Sequence, residues 1–361
     1  MGSPHGIGIV GLGVISGAYL DTLRGHPALR IAAVADLDQD RARGVADGLP
    51  GTRATTVAEL VADPSVATVL NLTVPAAHAE VAHAAIAAGK DVYGEKPLAA
   101  TLHEALGMRD AAREAGVRLG CAPDTVLGTG VQTARAAVDA GRIGTPVSAT
   151  ATWISPGHER WHPHPDFYYL PGGGPVLDMG PYYLTALVQV LGPVVALTGM
   201  SSRVRAERTI ASGPRLGEVI PVETDTHVTG VLQHRSGALS TVTVSFDGVH
   251  SAAPPIEVHG TAGSLVLPDP NGFDGDVLLR AAGATESLVL PPSAGFADAA
   301  RGVGLLDFVR GGDGASGAIA LHVLEIMTGL LDSHGTRVDL APPPERPAAV
   351  PFTPAEVWRG V

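Results

Sequence analysis

A short glycine turn near the start of the chain constrains its fold more than any other feature. An apolar run at residues 7–10 leads straight into Gly11-Leu12-Gly13-Val14-Ile15-Ser16-Gly17, and a helical stretch follows to Leu23. Strand, glycine turn and helix in this order open a parallel α/β sheet. Gly11 permits the tight reversal, and Gly13 lets main-chain amides approach a phosphate at the positive end of the helix. Ser16, in the third position of the G-x-G-x-x-G pattern, is small enough for helix and strand to pack closely. The pattern alone is weak, because 46 glycines make chance matches common. The next strand strengthens it. Residues 31–35 end at Asp36, twenty positions after Ser16, where a carboxylate would bind both hydroxyls of an adenosine ribose and repel a 2'-phosphate. NAD is therefore expected as cofactor, with NADP less favoured.

The first 120 residues alternate short apolar strands (7–10, 31–35, 68–73, 91–94 and 118–120) with amphipathic stretches such as 76–88 and 101–115. That alternation predicts right-handed βαβ units and a doubly wound parallel sheet of Rossmann type. From about residue 147 the texture changes to longer Val- and Thr-rich runs with period-2 alternation: 147–154, 194–204, 224–233, 238–246, 256–258 and 264–267. These predict an α+β domain around a large, mainly antiparallel open sheet with one face buried. A last helix is expected over 302–333, then a proline-studded strap lying extended along the surface from residue 341. A chain of 361 residues exceeds what one core usually serves. The expected division is 1–122, 123–340 and 341–361.

Charge narrows the partners. With 36 acidic against 24 basic residues the net charge is −12, which argues against a nucleic-acid surface. No run reaches the roughly 18 uninterrupted apolar residues that cross a bilayer, the nearest, Leu184 to Met200, being broken by Gln189 and Gly192-Pro193. Residues 1–6 lack the basic and apolar regions of a secretion leader. One cysteine, Cys121, excludes an internal disulfide and any cysteine-based metal cluster, which fits a cytoplasmic protein. Lysine occurs only at positions 90 and 96, all other basic residues except histidine being arginine. A lysine here is expected where a compact ammonium able to change protonation is needed. Lys90 follows Gly89 in a helix-to-strand turn and is expected to be a solvated helix-end cation.

Two segments leave strands on the sheet edge where ligands bind in open parallel sheets: Asn71-Leu72-Thr73-Val74-Pro75-Ala76-Ala77-His78 and Tyr93-Gly94-Glu95-Lys96-Pro97-Leu98. With the glycine turn, Ala88 to Ala99, and the later Gly172-Gly173-Gly174-Pro175-Val176-Leu177-Asp178-Met179-Gly180, they make the chain resemble the glucose-fructose oxidoreductase, inositol dehydrogenase and rhizopine-catabolism (Gfo/Idh/MocA) oxidoreductases over nearly its whole length. The resemblance implies an NAD-binding domain followed by an α+β domain, and sugars, polyols or their derivatives as substrates. It also implies a homo-oligomer, dimer or tetramer, paired through the open sheet face. The cofactor contacts expected are Gly11, Gly13, Val14, Ile15, Asp36, Asn71, Thr73, Pro75, His78, Glu95, Lys96 and Pro97. In that family the lysine of Glu-Lys-Pro lies beside the nicotinamide and the reacting hydroxyl.

The chemistry agrees. Moving hydride from a secondary alcohol also requires its proton to leave, and an ammonium at that oxygen stabilises the developing alkoxide. Asp178, Tyr182, Thr185 and Gln189 are spaced i, i+4, i+7 and i+11, which puts them on one face of a helix. Many family members have histidine in place of Tyr182. Those similar to glucose-fructose oxidoreductase and the dimeric dihydrodiol dehydrogenases have tyrosine, which is regarded as the proton carrier. A phenol titrates near ~10 and needs neighbouring positive charge to act as a base. The loop from His158 to Tyr169 gathers three histidines and four aromatics before the triple glycine, suiting a carbohydrate. Trp161 and His162 are expected to touch substrate. Proton transfer through Tyr182 or through a loop histidine stays open, with Asp178 orienting one of them or binding a substrate hydroxyl. Pro163 and Pro165 break the spacing that would align the histidines on a metal, and none is expected. Arg203, Arg205 and Arg208 read as an exposed basic run. Two other functions fit the same residues: a redox-assisted elimination or glycosidic cleavage with no net redox change, and a nucleotide-sensing regulator without catalysis.

Overall fold

The computed structural model describes residues 3–360; Met1 and Gly2 of the start read as leader-free, and Val361 of the expected strap, lie outside the described residues. The chain begins with β1 (His5–Val10), α1 (Val14–Leu23), β2 (Leu29–Ala35), α2 (Gln39–Asp47), β3 (Arg53–Thr55), α3 (Val57–Ala62), β4 (Thr68–Asn71), α4 (Pro75–Ala87), β5 (Asp91–Gly94), α5 (Leu102–Ala115) and β6 (Leu119–Cys121). Next come α6 (Thr129–Asp139), β7 (Pro146–Ile154), α7 (Pro175–Leu191), β8 (Val194–Ser202), β9 (Glu207–Thr209), β10 (Val219–Pro221) and β11 (His227–His234). The remaining elements are β12 (Leu239–Ser245), β13 (Ile256–Gly260), β14 (Gly263–Leu267), β15 (Val277–Ala281), β16 (Leu288–Leu290), α8 (Val303–Val309), α9 (Gly317–Asp332), β17 (Val338–Asp339) and α10 (Ala355–Arg359).

Two compact units result, and each is discontinuous in sequence. One runs up to Thr129 and takes in Ala294–Leu321 and the stretch from Pro347 onward; the other comprises Gly130–Ser293 and His322–Arg346. The first holds a six-stranded parallel sheet in the order β3-β2-β1-β4-β5-β6. Its strands read as apolar runs because helices cover both faces. The order reverses between β1 and β4, opening a crevice beyond their carboxyl ends. Local signals set the helices: α5 starts on a capping box between Thr101 and Glu104 and stops at Gly116, whose φ of 68° is left-handed.

The second unit holds a nine-stranded sheet, β16-β15-β14-β13-β7-β12-β11-β8-β17, antiparallel except where β12 runs parallel to β7. Alternation decides its faces. On β11, Val228, Gly230, Leu232 and His234 are buried while Thr229 and Val231 are exposed. Val231 lies opposite Thr198 on β8 and Thr241 on β12. Helix α7 packs on β7, β11 and β12.

Two expectations change. The helix expected over 302–333 is two helices, because Gly311 takes φ +93° and a side chain at Gly312 would collide with the Asp307 carboxylate. Nor does the proline-rich tail lie extended to its end. Arg346 donates to the carbonyls of Gln189 and Val190 at the carboxyl end of α7, at 2.7 and 3.0 Å. Further on, Trp358 of α10 is fully buried in the first unit, its indole N–H donating to the Ala297 carbonyl at 2.8 Å.

Candidate functional site

In the first unit, the expected cofactor residues gather at the carboxyl edge of the parallel sheet. Gly11 has φ +90°, and a Cβ there would stand 2.7 Å from the backbone of Leu72, so only glycine lets the ends of β1 and β4 approach this closely. Gly13 caps α1 with no side-chain acceptor and has open space around its α-carbon, so the helix N-terminus faces a cradle shaped for an anion. Ser16 is buried, its hydroxyl donating to the Gly13 carbonyl at 2.7 Å. Val14 is fully exposed and Ile15 half-buried.

Asp36 leaves β2 with its carboxylate accepting from the N–H groups of Leu12, at 2.7 Å, and Asp38, at 2.8 Å, and with Arg41 3.2 Å away. Partial burial pulls its pKa upward, but these three donors outweigh burial and hold it below the usual carboxylate range. An ionised acceptor thus stands where a ribose diol would bind, and the residues present fit a dinucleotide.

The other loops brace one another through backbone atoms. Asn71 donates to the His78 carbonyl at 3.1 Å and accepts from the Thr73 hydroxyl at 2.6 Å. His78 is buried, its ring nitrogens 2.7 Å from the Pro97 carbonyl and 3.0 Å from that of Thr73; it ties two loops together rather than facing outward. Pro75 opens α4. Glu95 accepts from the buried Tyr19 hydroxyl at 2.8 Å and from the N–H of Lys96 at 3.0 Å. Lys96 is half-buried and joined to Pro97 by a cis peptide. Burial pushes the nearby Cys121 thiol well up, so it stays neutral. Lys90 is not a solvated cation. Its ammonium donates to the carbonyls of Asp63 and Val66, in the turn between α3 and β4, at 3.0 and 2.8 Å. The sequence reading missed two exposed apolar side chains on this edge, Leu37 after β2 and Val74 after β4.

In the second unit, Asp178 and Tyr182 lie on the first turns of α7, Asp178 partly exposed and Tyr182 only 7% exposed. The polar stripe does not continue to solvent: Thr185 is buried, and Gln189, fully buried, accepts from Arg135 at 2.8 Å. Nor does the whole triple glycine serve a ligand. A side chain at Gly173 would collide with the backbone of Phe167 and Tyr168, and one at Gly174 would stand 2.9 Å from the Asp225 carbonyl. Only Gly172 has open space.

The aromatic loop is built from its own side chains. His158 lies 2.9 Å from Asp178, and the Trp161 indole N–H donates to His158 Nδ1 at 3.2 Å. Trp161 is 58% exposed, its ring edge-on to His158 and His162. Burial and the neighbouring histidines hold the pKa of His162 below its ordinary value. Beneath the loop, the Tyr169 hydroxyl donates to Glu159, and Arg208 pairs with Glu159 at 3.0 Å and with Asp247 at 2.5 Å. Arg208 is therefore buried, not exposed; Arg203 and Arg205 are on the surface as expected. No spacing rule in the sequence links positions 158, 178 and 208, so this network was not legible there. Among the described residues, no group of three or more His, Cys, Asp or Glu is arranged to hold a metal ion, and no helix is long and apolar enough to cross a membrane.

Two family models match the chain: an oxidoreductase family with an NAD-binding Rossmann fold over residues 5–122, and the GFO/IDH/MocA C-terminal domain over 131–266. A 1,5-anhydro-D-fructose reductase of Ensifer adhaerens is 34% identical over 60% of this chain and 61% of its own length, so the match spans less than two thirds of that relative. A D-xylose 1-dehydrogenase (NADP(+)) of Haloferax volcanii is 32% identical over 67% of this chain and 68% of its own. Among solved structures, an NAD binding oxidoreductase from Klebsiella pneumoniae shares the fold with a TM-score of 0.78 at 24% identity, over 94% of this chain and all of that one.

Proposed function

Since the chain belongs to the GFO/IDH/MocA oxidoreductase family, we propose that it is an NAD-dependent oxidoreductase acting on a secondary alcohol or ketone of a sugar, polyol or glycoside. The observation that carries this reading is the place of Lys96, in the loop after β5 at the sheet edge where ligands bind, together with the Asp36 carboxylate and the open N-terminus of α1 on that same edge.

In this reading the N-terminus of α1 and Gly13 bind the pyrophosphate, Asp36 the ribose diol, and Leu37 and Val74 the faces of the adenine. When bound, the nicotinamide supplies the hydride acceptor or donor. Lys96 stabilises the oxygen that becomes an alkoxide, Tyr182 exchanges its proton, and Asp178 orients that exchange. Trp161 and His162 bind the sugar, an indole face suiting the C–H face of a pyranose. Asp36 favours NAD. The nearby Arg41 is the feature that would soften the exclusion of NADP, and one relative carries NADP in its name.

We further propose a homo-oligomer formed through the exposed face of the nine-stranded sheet, where Met200, Val231 and Leu239 stand out of a field of threonines. Sedimentation of the protein, with Val231→Glu shifting it toward monomer, tests this.

A screen of sugars, polyols and glycosides with NAD and NADP, following nicotinamide reduction and product identity together, tests the activity. Equal amounts of NADH and a keto product are expected. A cleaved product without net NADH would replace this reading with redox-assisted elimination, and tight cofactor binding without any conversion would replace it with sensing.

A further inference from the structure

The aromatic loop contains a histidine whose protonation pattern is fixed by its neighbours. His158 is 7% exposed, at a 3-10 turn, with the rings of Tyr168, Phe246, Trp161 and Trp153 at 4.4, 4.7, 5.2 and 5.9 Å. Its backbone N–H donates to the Tyr169 hydroxyl at 3.0 Å, which ties it to the buried Glu159–Arg208–Asp247 network. Ring and backbone are both held.

The tautomer follows from one donor and one acceptor. An indole N–H has no lone pair to offer, so where Trp161 Nε1 meets His158 Nδ1 the histidine nitrogen must accept. A neutral imidazole that accepts at Nδ1 carries its hydrogen on Nε2. That nitrogen is 2.9 Å from Asp178 Oδ2, so the N–H donates to the carboxylate. Both ring nitrogens are thereby engaged, and His158 could take a proton from a substrate only by giving up the Trp161 indole at Nδ1.

We infer that His158 is a positioning residue: its Nε2–H fixes one oxygen of Asp178, the Trp161 indole and that carboxylate together set the tautomer that makes this donation, and His158 is not the proton carrier. The inference rests on the proposed hydride-transfer role of Asp178 and Tyr182, and it removes His158 from the three loop histidines that the sequence left open as carriers. It also gives Trp161 two separate duties, an edge that sets the histidine and an exposed face for the sugar.

Two measurements on the full-length protein test it. Nitrogen-15 imidazole spectra, with the His158 signal assigned by its loss in His158→Gln, are expected to show the Nε2–H tautomer at neutral pH and a displaced Nδ1 resonance in Trp161→Phe, where that nitrogen loses its donor. An Nδ1–H signal in the unaltered protein, or no response to Trp161→Phe, overturns the inference. In kinetics, His158→Gln, whose amide donates to Asp178 and accepts from Trp161 but carries no exchangeable ring proton, is expected to cost about threefold in kcat, and His158→Leu about thirtyfold, with the Kd for NADH unchanged in both. Gln as damaging as Leu would make His158 a proton carrier, and Leu without effect on kcat would deny it any role; either overturns the inference. The tautomer is read without turnover, so a protein that oxidises no sugar yet shows Nε2–H would sink the proposed function and leave the His158 geometry standing.

Discussion

The two units handle their polar side chains in opposite ways. At the edge of the parallel sheet, side chains bond mostly to main-chain atoms: Asp36 to the N–H groups of Leu12 and Asp38, His78 to the carbonyls of Thr73 and Pro97, Glu95 to the N–H of Lys96. In the aromatic loop they bond to one another: His158 to Asp178, Trp161 to His158, Tyr169 to Glu159, Arg208 to Glu159 and Asp247. Backbone partners are present whatever the neighbouring residue types, so such a site tolerates local change and keeps its shape. A side-chain network has no such reserve, and removing one member leaves others buried and unpaired. Substitutions in the first unit are thus expected to change chemistry more than stability, and substitutions in the second to change both.

The largest expected effect lies in the first unit. Lys96→Ala is predicted to lower kcat by about 10³-fold, and Tyr182→Phe in the second by about 10²-fold, each with cofactor binding retained, as read by steady-state kinetics and NADH fluorescence titration. Near-normal turnover would remove that residue from the chemistry. Next is Arg208→Leu, which leaves Glu159 and Asp247 buried without their cation and is expected to cost roughly 3–5 kcal/mol in urea denaturation as well as turnover. A loss below about 1 kcal/mol would erase the distinction drawn between the units.

Asp36→Ser comes third. It removes the charge that repels a 2'-phosphate while Arg41 remains beside it, so the ratio of kcat/KM for NAD over NADP is expected to fall about thirtyfold with little change in Tm. The smallest effect concerns His234, buried between the Gly192 carbonyl at 2.7 Å and the Ser240 hydroxyl at 2.6 Å. Burial holds its pKa down at about 4. Between that value and the ordinary ~6.5 the unfolded chain binds the proton and the folded chain does not, so stability falls as pH drops through this window. Going from pH 7 to pH 5 is expected to cost about 2 kcal/mol, measured by urea denaturation, and His234→Asn should flatten the dependence.

The same difference explains what could be read in advance. The parallel sheet, its glycine turn, Asp36 and the Glu-Lys-Pro loop were legible because their geometry is local: Gly11 must adopt φ +90°, and a carboxylate must end the next strand. That Asp178 and Tyr182 share a helix was legible through their spacing. The partner of Asp178 was not, because no periodicity couples a loop to a helix twenty residues later. Arg208 was misread for a related reason: a run of arginines broken by glutamate looks like a solvated face, and only the fold brings Glu159 and Asp247 to it. The split of the last helix turned on a collision at Gly312 that is visible only in three dimensions.

Trp358 fills a fully buried position in the first unit, and its carbonyl oxygen lies 2.9 Å from Nε2 of His26. During synthesis, the β-strands of that unit leave the ribosome long before the indole that seals it. The buried packing of the nucleotide-binding module is therefore complete only once translation has passed position 358, and a stall or frameshift after the nine-stranded sheet would yield a chain with its larger sheet made and a buried position of its earlier unit unfilled.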